Sequence, residues 1–282
     1  MSEARRRYLA LQKELGGSEI ILAAAAVGRL GGEDEAIGRQ GGRAVAEDKP
    51  SRPPAQPPSR PSAPPTRPAK HWTVDAPAIP TAPGIIVPGP ERGLLAVPPP
   101  WNTLDEVAAT IAICRKCFLC EGRTRTVPGE GNPRARLMFV GEGPGQTEDE
   151  TGRPFVGRAG ELLTQIIEAI ELKRDDVFIA NVVKCRPPQN RKPLPDEMAA
   201  CWAYLERQIE LVEPRALVAL GATAAEAMLR VKKSLTELRG RVHSFRDIPL
   251  VVTYHPAALL RNPNWKKPTW DDIRIARQLL DR

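Results

Sequence analysis

The sequence predicts an α/β domain in which a parallel sheet is covered by helices on both faces. Two observations support this fold class. After Trp101, short apolar segments of strand length alternate with longer segments that have helical periodicity. The apolar segments are also nearly continuous, which is typical of parallel strands that are buried on both faces. We therefore expect one α/β domain over residues 101–282, a comfortable length for a single core.

The region before Trp101 differs sharply in composition. Of the 30 prolines in the 282-residue chain, 17 lie between positions 50 and 100. Such a segment lacks backbone donors and apolar content, so we interpret residues 18–100 as a disordered Pro-rich linker in which His71 and Trp72 are solvated. Residues 1–17 have the spacing of a short amphipathic helix, for which a protein partner is one hypothesis.

The elements of the domain follow in order. The predicted strands cover residues 137–140, 177–183, 216–220 and 250–254. The predicted helices cover 104–111, 159–170, a longer stretch that begins near Asp196, a segment that opens at Gly221, and 270–280.

Polar residues follow several of these strands. Glu142–Gly145, Asn181, Gly221 and His255 all lie at carboxyl ends, which meet at one edge of a parallel sheet and are where α/β folds bind their ligands. The glycine-rich turn matches neither the dinucleotide fingerprint nor the Walker pattern. Asn181 interrupts an apolar strand and is costly to bury unless it is satisfied by the backbone or reads a planar ligand. Phe155 is either a core residue or an aromatic face on which a base stacks.

Charge and targeting signals restrict the class of protein only weakly. The net charge is +7, which suits a nucleic-acid partner but is also common among other proteins. The apolar run 20–27 is too short to span a bilayer, and acidic residues precede it, so we expect a cytoplasmic protein that does not enter a membrane. In a reducing compartment, cysteines are more often metal ligands or core residues than disulfides.

The cysteines form a pattern that is typical of metal sites. Cys114 and Cys117 are separated by two residues, and Cys185 and Cys201 lie farther along the chain. Four thiolates in this arrangement can complete a tetrahedral zinc site or an iron–sulfur cluster. Cys120 repeats the two-residue spacing and can replace Cys114, whereas Cys201 also fits an inert core position. The spacing alone leaves both the metal and its ligand set open.

Four motifs occur in order between Cys114 and the C-terminus: GEGPGQTED, GRPFVG, NVVKCRPPQNRKP and YHPAALLRN. Together they resemble the family four uracil-DNA glycosylases, the iron–sulfur branch of that superfamily. The resemblance implies a three-layer αβα domain with a central, mainly parallel sheet of four strands. It also implies a monofunctional enzyme that flips uracil out of DNA and hydrolyses its N-glycosidic bond, the first step of base-excision repair.

The same resemblance implies roles for residues of the pocket. Phe155 would stack on the flipped base, Asn181 would read its pyrimidine edge, and His255 would sit at uracil O2 as an oxyanion-stabilising donor. Gly143 would form part of the pocket wall.

Gly143 also marks a departure from other families. It occupies the position at which better-known uracil glycosylases carry a water-orienting aspartate. We therefore expect Glu142 or Glu148 to activate the water, and Glu148 also to lie near C5, where a thymine methyl must be excluded.

The resemblance further implies a cofactor and a DNA contact. Its pattern makes Cys114, Cys117, Cys185 and Cys201 the ligands of a [4Fe–4S] cluster that pins the loop 186–200, and it leaves Cys120 outside the set. Leu259 and Leu260 would wedge into the gap in the base stack, and Arg261 would contact phosphate.

Two alternatives stay open. One branch of the superfamily becomes trapped covalently on its abasic product and carries a histidine in an inserted loop, but residues 186–200 contain no histidine. The other is a non-catalytic DNA-binding or polymerase-accessory module with a structural zinc. No lysine is expected at the pocket rim, which argues against a lyase step. We expect uracil-containing DNA as the partner and a monomeric protein.

Overall fold

A computed structural model describes residues 71–89 and 100–282 of the chain. Its strands are β1 (Pro83–Val87), β2 (Glu130–Gly131), β3 (Leu137–Gly141), β4 (Phe178–Asn181), β5 (Ala216–Leu220), β6 (Val242–Phe245) and β7 (Ile248–Thr253). They form one sheet in the order β1-β6-β7-β5-β3-β4-β2. The predicted α/β class is confirmed.

The four predicted strands are the parallel centre of this sheet. β7, β5, β3 and β4 are neighbours that run in the same direction. The expected number of strands was wrong, because the described residues contain seven. β2 has only two residues, and β6 is joined to β7 in an antiparallel hairpin whose turn residues Arg246 and Asp247 have positive φ. Neither strand has the long apolar run that a sequence pattern needs.

Helices cover both faces of the sheet. They are α1 (Leu104–Ala112), α2 (Leu119–Gly122), α3 (Gln146–Thr151), α4 (Arg158–Ala169), α5 (Pro195–Val212), α6 (Ala222–Leu229), α7 (Leu235–Leu238), α8 (Pro256–Arg261) and α9 (Lys266–Leu279). Alternate residues of β3 enter different cores: Met138 and Val140 pack with α1, α5 and α6, whereas Leu137 and Phe139 pack with α4 and α9. The domain therefore has three layers, αβα.

Residues 71–89 belong to the folded domain, which corrects the prediction that the linker extends to residue 100. Trp72 is 1% exposed, and the Arg277 guanidinium lies 4.8 Å from its ring centroid. β1 extends the sheet in parallel with β6, and Ile85 N–H donates to His243 Nδ1 at 2.9 Å. The proline content hid a five-residue strand with only two isoleucines and a valine as its apolar signal.

The predicted helix at residues 1–17 and the rest of the predicted linker lie outside the described residues. Within 71–89 and 100–282, no helix has the length and apolar character that crossing a bilayer requires.

Candidate active site

The carboxyl ends of the central strands surround a cleft of about 410 Å³, as the chain topology predicts. Its lining includes every residue predicted for the pocket, together with Arg261 from the predicted DNA contact: Glu142, Gly143, Glu148, Phe155, Asn181, His255 and Arg261. These residues come from four separate segments of sequence, so their convergence depends on the fold. The cleft is the candidate active site.

Asn181 lies at the last position of β4, opposite Gly141 of β3. It is 1% exposed, and no group in the described part of the chain donates to its Oδ1. A Cβ added to Gly141 would lie 2.4 Å from this oxygen and 2.5 Å from Phe155 Cζ. Gly141 therefore leaves room for both side chains, and the buried oxygen is left for a ligand that donates a hydrogen bond.

Phe155 is held in an unusual backbone conformation. Its φ is 50°, a region that bulky residues rarely adopt unless the surroundings enforce it. Arg174 Nη2 donates to the Pro154 carbonyl on one side of it. Helix α4 starts so close that a Cβ on Gly160 would lie 1.9 Å from the Phe155 carbonyl oxygen. The ring centroid lies 5.4 Å from that of His255, so both rings border the same small space.

The two glutamates of the cleft make different contacts. The Glu148 carboxylate accepts backbone N–H bonds from Gly145 at 3.2 Å and from Val156 and Gly157 at 2.9 Å each. Glu142 accepts a hydrogen bond from the Thr223 hydroxyl through Oε2. Glu148 therefore ties the glycine-rich turn to the loop that carries Phe155.

Gly143 lies in this turn as predicted. A Cβ on it would lie 2.7 Å from Val183 Cγ2, so the residue is small because the turn packs tightly against the chain that follows β4.

His255 begins helix α8 and has a defined tautomer. Its Nδ1 accepts a hydrogen bond from the Ala257 N–H at 3.2 Å, so in the neutral ring the proton is carried by Nε2. Burial is the main cause that lowers the pKa of His255 from 6.5 to about 4; the positive charge of Arg261 acts in the same direction, and Glu148 partly opposes the shift. The imidazole is therefore neutral near pH 7 and donates through Nε2.

The cysteines line a second, small cavity between α1, α2 and α5. Cys114, Cys117, Cys185 and Cys201 all border it, and so does Cys120, which the predicted ligand set excludes. Among residues 71–89 and 100–282, no three His, Cys, Asp or Glu side chains are grouped as ligands of a single metal ion. The five cysteines therefore share one cavity, and the structure itself does not group them as ligands of one ion.

Polar donors point at these sulfurs. Arg123 Nη1 donates to Cys185 Sγ at 3.2 Å, and the Lys184 N–H donates to Cys201 Sγ at 3.4 Å. Burial raises the pKa of Cys117 and of Cys185, and it raises the pKa of Cys201 to about 11. Without a bound metal the buried thiols are therefore protonated, and a metal centre would be needed to hold them as thiolates.

A single loop connects the cavity to the cleft. It leaves Cys185, passes the cleft at Pro187, Asn190 and Arg191, and enters α5, which carries Cys201. Arg191 forms a bidentate ion pair with the nearly buried Glu197 at 2.9 and 2.7 Å. The residues between two of the predicted ligands therefore build one wall of the cleft.

The structure separates the two predicted wedge leucines. Leu259 is 1% exposed and packs in the core with residues of α4, whereas Leu260 is 42% exposed. The prediction that Leu259 enters the base stack is wrong, because its side chain faces the protein interior on the short helix α8. Leu260 keeps the exposure that this role needs, and Arg261 lies at the cleft.

Three residues of the site were missed from the sequence. Thr223 holds Glu142, Arg191 lines the cleft, and Lys184 is a buried lysine whose Nζ donates to the Asn181 carbonyl at 2.8 Å and to Gln208 Oε1 at 2.6 Å. Thr223 follows the glycine after β5, so its position at a strand end was a usable signal. No sequence signal marked Lys184 as a residue of the site, because a lysine is most often solvated.

Comparison with known proteins defines the class first. The family model described as the uracil DNA glycosylase superfamily matches residues 128–274, just over half of the chain. A Type-4 uracil-DNA glycosylase of Sulfurisphaera tokodaii is 46% identical over 187 residues, which is 63% of this chain and 85% of that protein. A Type-4 uracil-DNA glycosylase of Thermotoga maritima is 45% identical over 183 residues, 64% of this chain and 95% of that protein.

A more distant relative, a Type-5 uracil-DNA glycosylase of Pyrobaculum aerophilum, is 35% identical over 152 residues, 48% of this chain and 67% of that protein. The chain belongs to the uracil-DNA glycosylase superfamily and, within it, to the Type-4 family.

Proposed function

We propose that this protein is a uracil-DNA glycosylase of DNA repair that receives an extruded uracil in the cleft and hydrolyses its N-glycosidic bond. The observation that carries the proposal is the convergence of Phe155, Asn181 and His255 on one cleft of about 410 Å³. A base inside a duplex is out of reach of such a cleft, so the nucleotide has to leave the stack at a cost of a few kcal/mol.

Asn181 selects uracil by hydrogen-bond polarity. Its unpartnered Oδ1 accepts from uracil N3–H, and its amide N–H donates to O4. Cytosine presents an acceptor at N3 and a donor at C4, which reverses both polarities and leaves buried groups unpaired. Lys184 Nζ, which donates to the Asn181 carbonyl at 2.8 Å, fixes the peptide from which this side chain projects.

Phe155 supplies the stacking face for the base. A base–aromatic stack contributes about 1–3 kcal/mol, which offsets much of the cost of extrusion. Glu148 and Gly160 keep the ring in place before the base arrives, so little further ordering is needed on binding. Because Glu148 uses its oxygens on backbone amides, we assign it a positioning role and a place in the pocket wall.

His255 stabilises the departing base. As the glycosidic bond breaks, negative charge develops on uracil O2, and the neutral imidazole donates its Nε2–H to that oxygen. A donor placed in this way contributes about 3–4 kcal/mol. A ring with a pKa of about 4 stays neutral, so it donates a hydrogen bond without giving up its proton.

Glu142 is the better candidate for orienting the attacking water. Thr223 holds one of its oxygens, and no donor among the described residues occupies the other. In the proposed step the water oxygen bonds to the sugar carbon, and the N-glycosidic bond breaks so that uracil leaves as an anion. The Glu142 carboxylate takes the proton that the water loses.

We propose that Cys114, Cys117, Cys185 and Cys201 hold a [4Fe–4S] cluster. These four cysteines border one common cavity, and an iron–sulfur cluster is consistent with the Type-4 family to which the chain belongs. Bound there, the cluster supplies structural anchoring of the loop 186–194. Arg123 and the Lys184 N–H donate to two of the sulfurs, as donors commonly do around such centres.

At the mouth of the cleft, Leu260 enters the gap that the extruded nucleotide leaves, and Arg261 contacts a flanking phosphate. The experiment that tests the function is release of free base from single-stranded oligonucleotides that carry one uracil, hypoxanthine or thymine. We expect uracil to be released and thymine to be left in place. Binding of the uracil oligonucleotide without release of base would instead support a non-catalytic DNA-binding module.

A further inference from the structure

An exposed tryptophan lies in the turn that follows helix α8, whose last residue, Arg261, lines the cleft. Trp265 stacks on Tyr254 with ring centroids 4.7 Å apart and planes within 1°, yet it remains 37% exposed. It lies in the turn Pro263–Trp265 between α8 and α9. A stack of two aromatic rings normally forms to bury both of them, so an indole that keeps this much exposure is available to a further flat group.

The position of this indole is tied to the active site. Tyr254 directly precedes His255, and the turn that carries Trp265 packs against helix α8, which carries Leu260 and Arg261. Leu260 and Trp265 are both large exposed apolar side chains, five positions apart. The helix and the turn that carry these two exposed side chains contact each other.

The charge around the indole indicates what covers it. Three cationic side chains, Arg261, Lys266 and Lys267, lie within four positions of the indole, and the acids that follow at 271 and 272 are ion-paired with Arg274 and Arg239. An aromatic side chain among basic residues is typical of surfaces on which the bases of single-stranded nucleic acid stack while the backbone is neutralised.

We propose that Trp265 stacks on a nucleobase that flanks the extruded nucleotide. This inference rests on the proposed function, since it places the flanking strand at the mouth of the uracil cleft. The stack is preorganised on its protein side: Arg239 lies 4.4 Å from the Tyr254 ring centroid and is itself held by Asp272 at 2.7 Å. Trp265 therefore adds affinity for the strand without reading its sequence.

The test compares Trp265→Ala and Trp265→Phe with the wild-type protein. Ile86→Ala is the matched control, because Ile86 is 72% exposed on the edge strand β1, away from the cleft. The first measurement is binding of a uracil-free single-stranded oligonucleotide. We expect Trp265→Ala to raise the Kd on the order of tenfold, Trp265→Phe to restore most of the affinity, and Ile86→Ala to match wild type.

The second measurement is steady-state excision from a uracil oligonucleotide. We expect Trp265→Ala to raise KM with little change in kcat, because the stack is made equally in the ground and transition states. Either a wild-type Kd for Trp265→Ala or a fall in its kcat at unchanged KM would overturn the proposal. Trp265 would then serve only to support the Tyr254 ring by stacking on it. Binding without excision in the wild-type protein would count against the proposed function but not against the stack.

Discussion

The protonation state of His255 offers the sharpest prediction. An ordinary histidine with a pKa of 6.5 is only about 9% neutral at pH 5.5, whereas a histidine with a pKa of about 4 is about 97% neutral there. Protonation adds a hydrogen to Nδ1, which then opposes the Ala257 N–H and disturbs the start of α8. We therefore predict that kcat/KM changes little from pH 7.5 to 5.5. If the pKa of His255 were 6.5, kcat/KM would fall about tenfold over the same range.

The assay is excision from a short single-stranded uracil oligonucleotide between pH 5 and pH 8, combined with NMR titration of the histidine side chains. The chain has only three histidines, so the spectrum of His255→Ala identifies the signal of His255. That variant should also lose about 10²–10³-fold in kcat with little loss of DNA affinity. A His255 signal that titrates near 6.5, together with a tenfold loss of kcat/KM at pH 5.5, would show that His255 is an ordinary histidine and does not stay neutral in the cleft.

The same shift affects stability with a defined sign. The unfolded chain takes up the His255 proton near 6.5, whereas the folded chain takes it up only near 4. Acid therefore favours the unfolded state, and this contribution to the free energy of unfolding is lost as the pH falls from 6.5 to 4.

Three further predictions concern the cleft, its rim and the cysteine cavity. Gly141→Ala should abolish uracil excision because the added methyl would overlap Asn181 Oδ1 and the Phe155 ring and displace both side chains. Gly122→Ala, with nothing within 4 Å of its added Cβ, should match wild type, and equal activity of both variants would contradict the pocket geometry. Leu260→Ala should slow excision more from duplex than from single-stranded DNA in parallel rate assays, and an equal loss on both would remove the wedge role. Cys201→Ser should lower the iron content and the visible absorbance, and full iron retention by elemental analysis would exclude Cys201 as a ligand.

The centre of the sheet could be predicted because its four strands are long and apolar. The ends of those strands then located the cleft, since parallel strands carry their carboxyl ends to one edge. The edge strands could not be found in the same way. β1 lies among prolines, β2 has two residues, and β6 alternates buried and half-buried positions in a run of four.

The active site, like the sheet, could be predicted only in part from the sequence. The motifs identified Phe155, Asn181 and His255 as candidate site residues. No sequence pattern predicts that the Glu148 carboxylate accepts hydrogen bonds from three backbone N–H groups. Leu259 and Leu260 are adjacent and chemically identical, so only the docking of α8 on α4 decides which of them is buried. Trp72 was misjudged for a related reason, because burial against α9 is a long-range contact that composition does not encode.

The most direct test of the central claim is a crystal structure of the protein with free uracil bound. The account predicts that the ring lies on Phe155, with N3 and O4 facing the Asn181 amide and O2 facing His255 Nε2. Uracil bound away from these three side chains, or bound with its O2 edge on Asn181, would contradict the account.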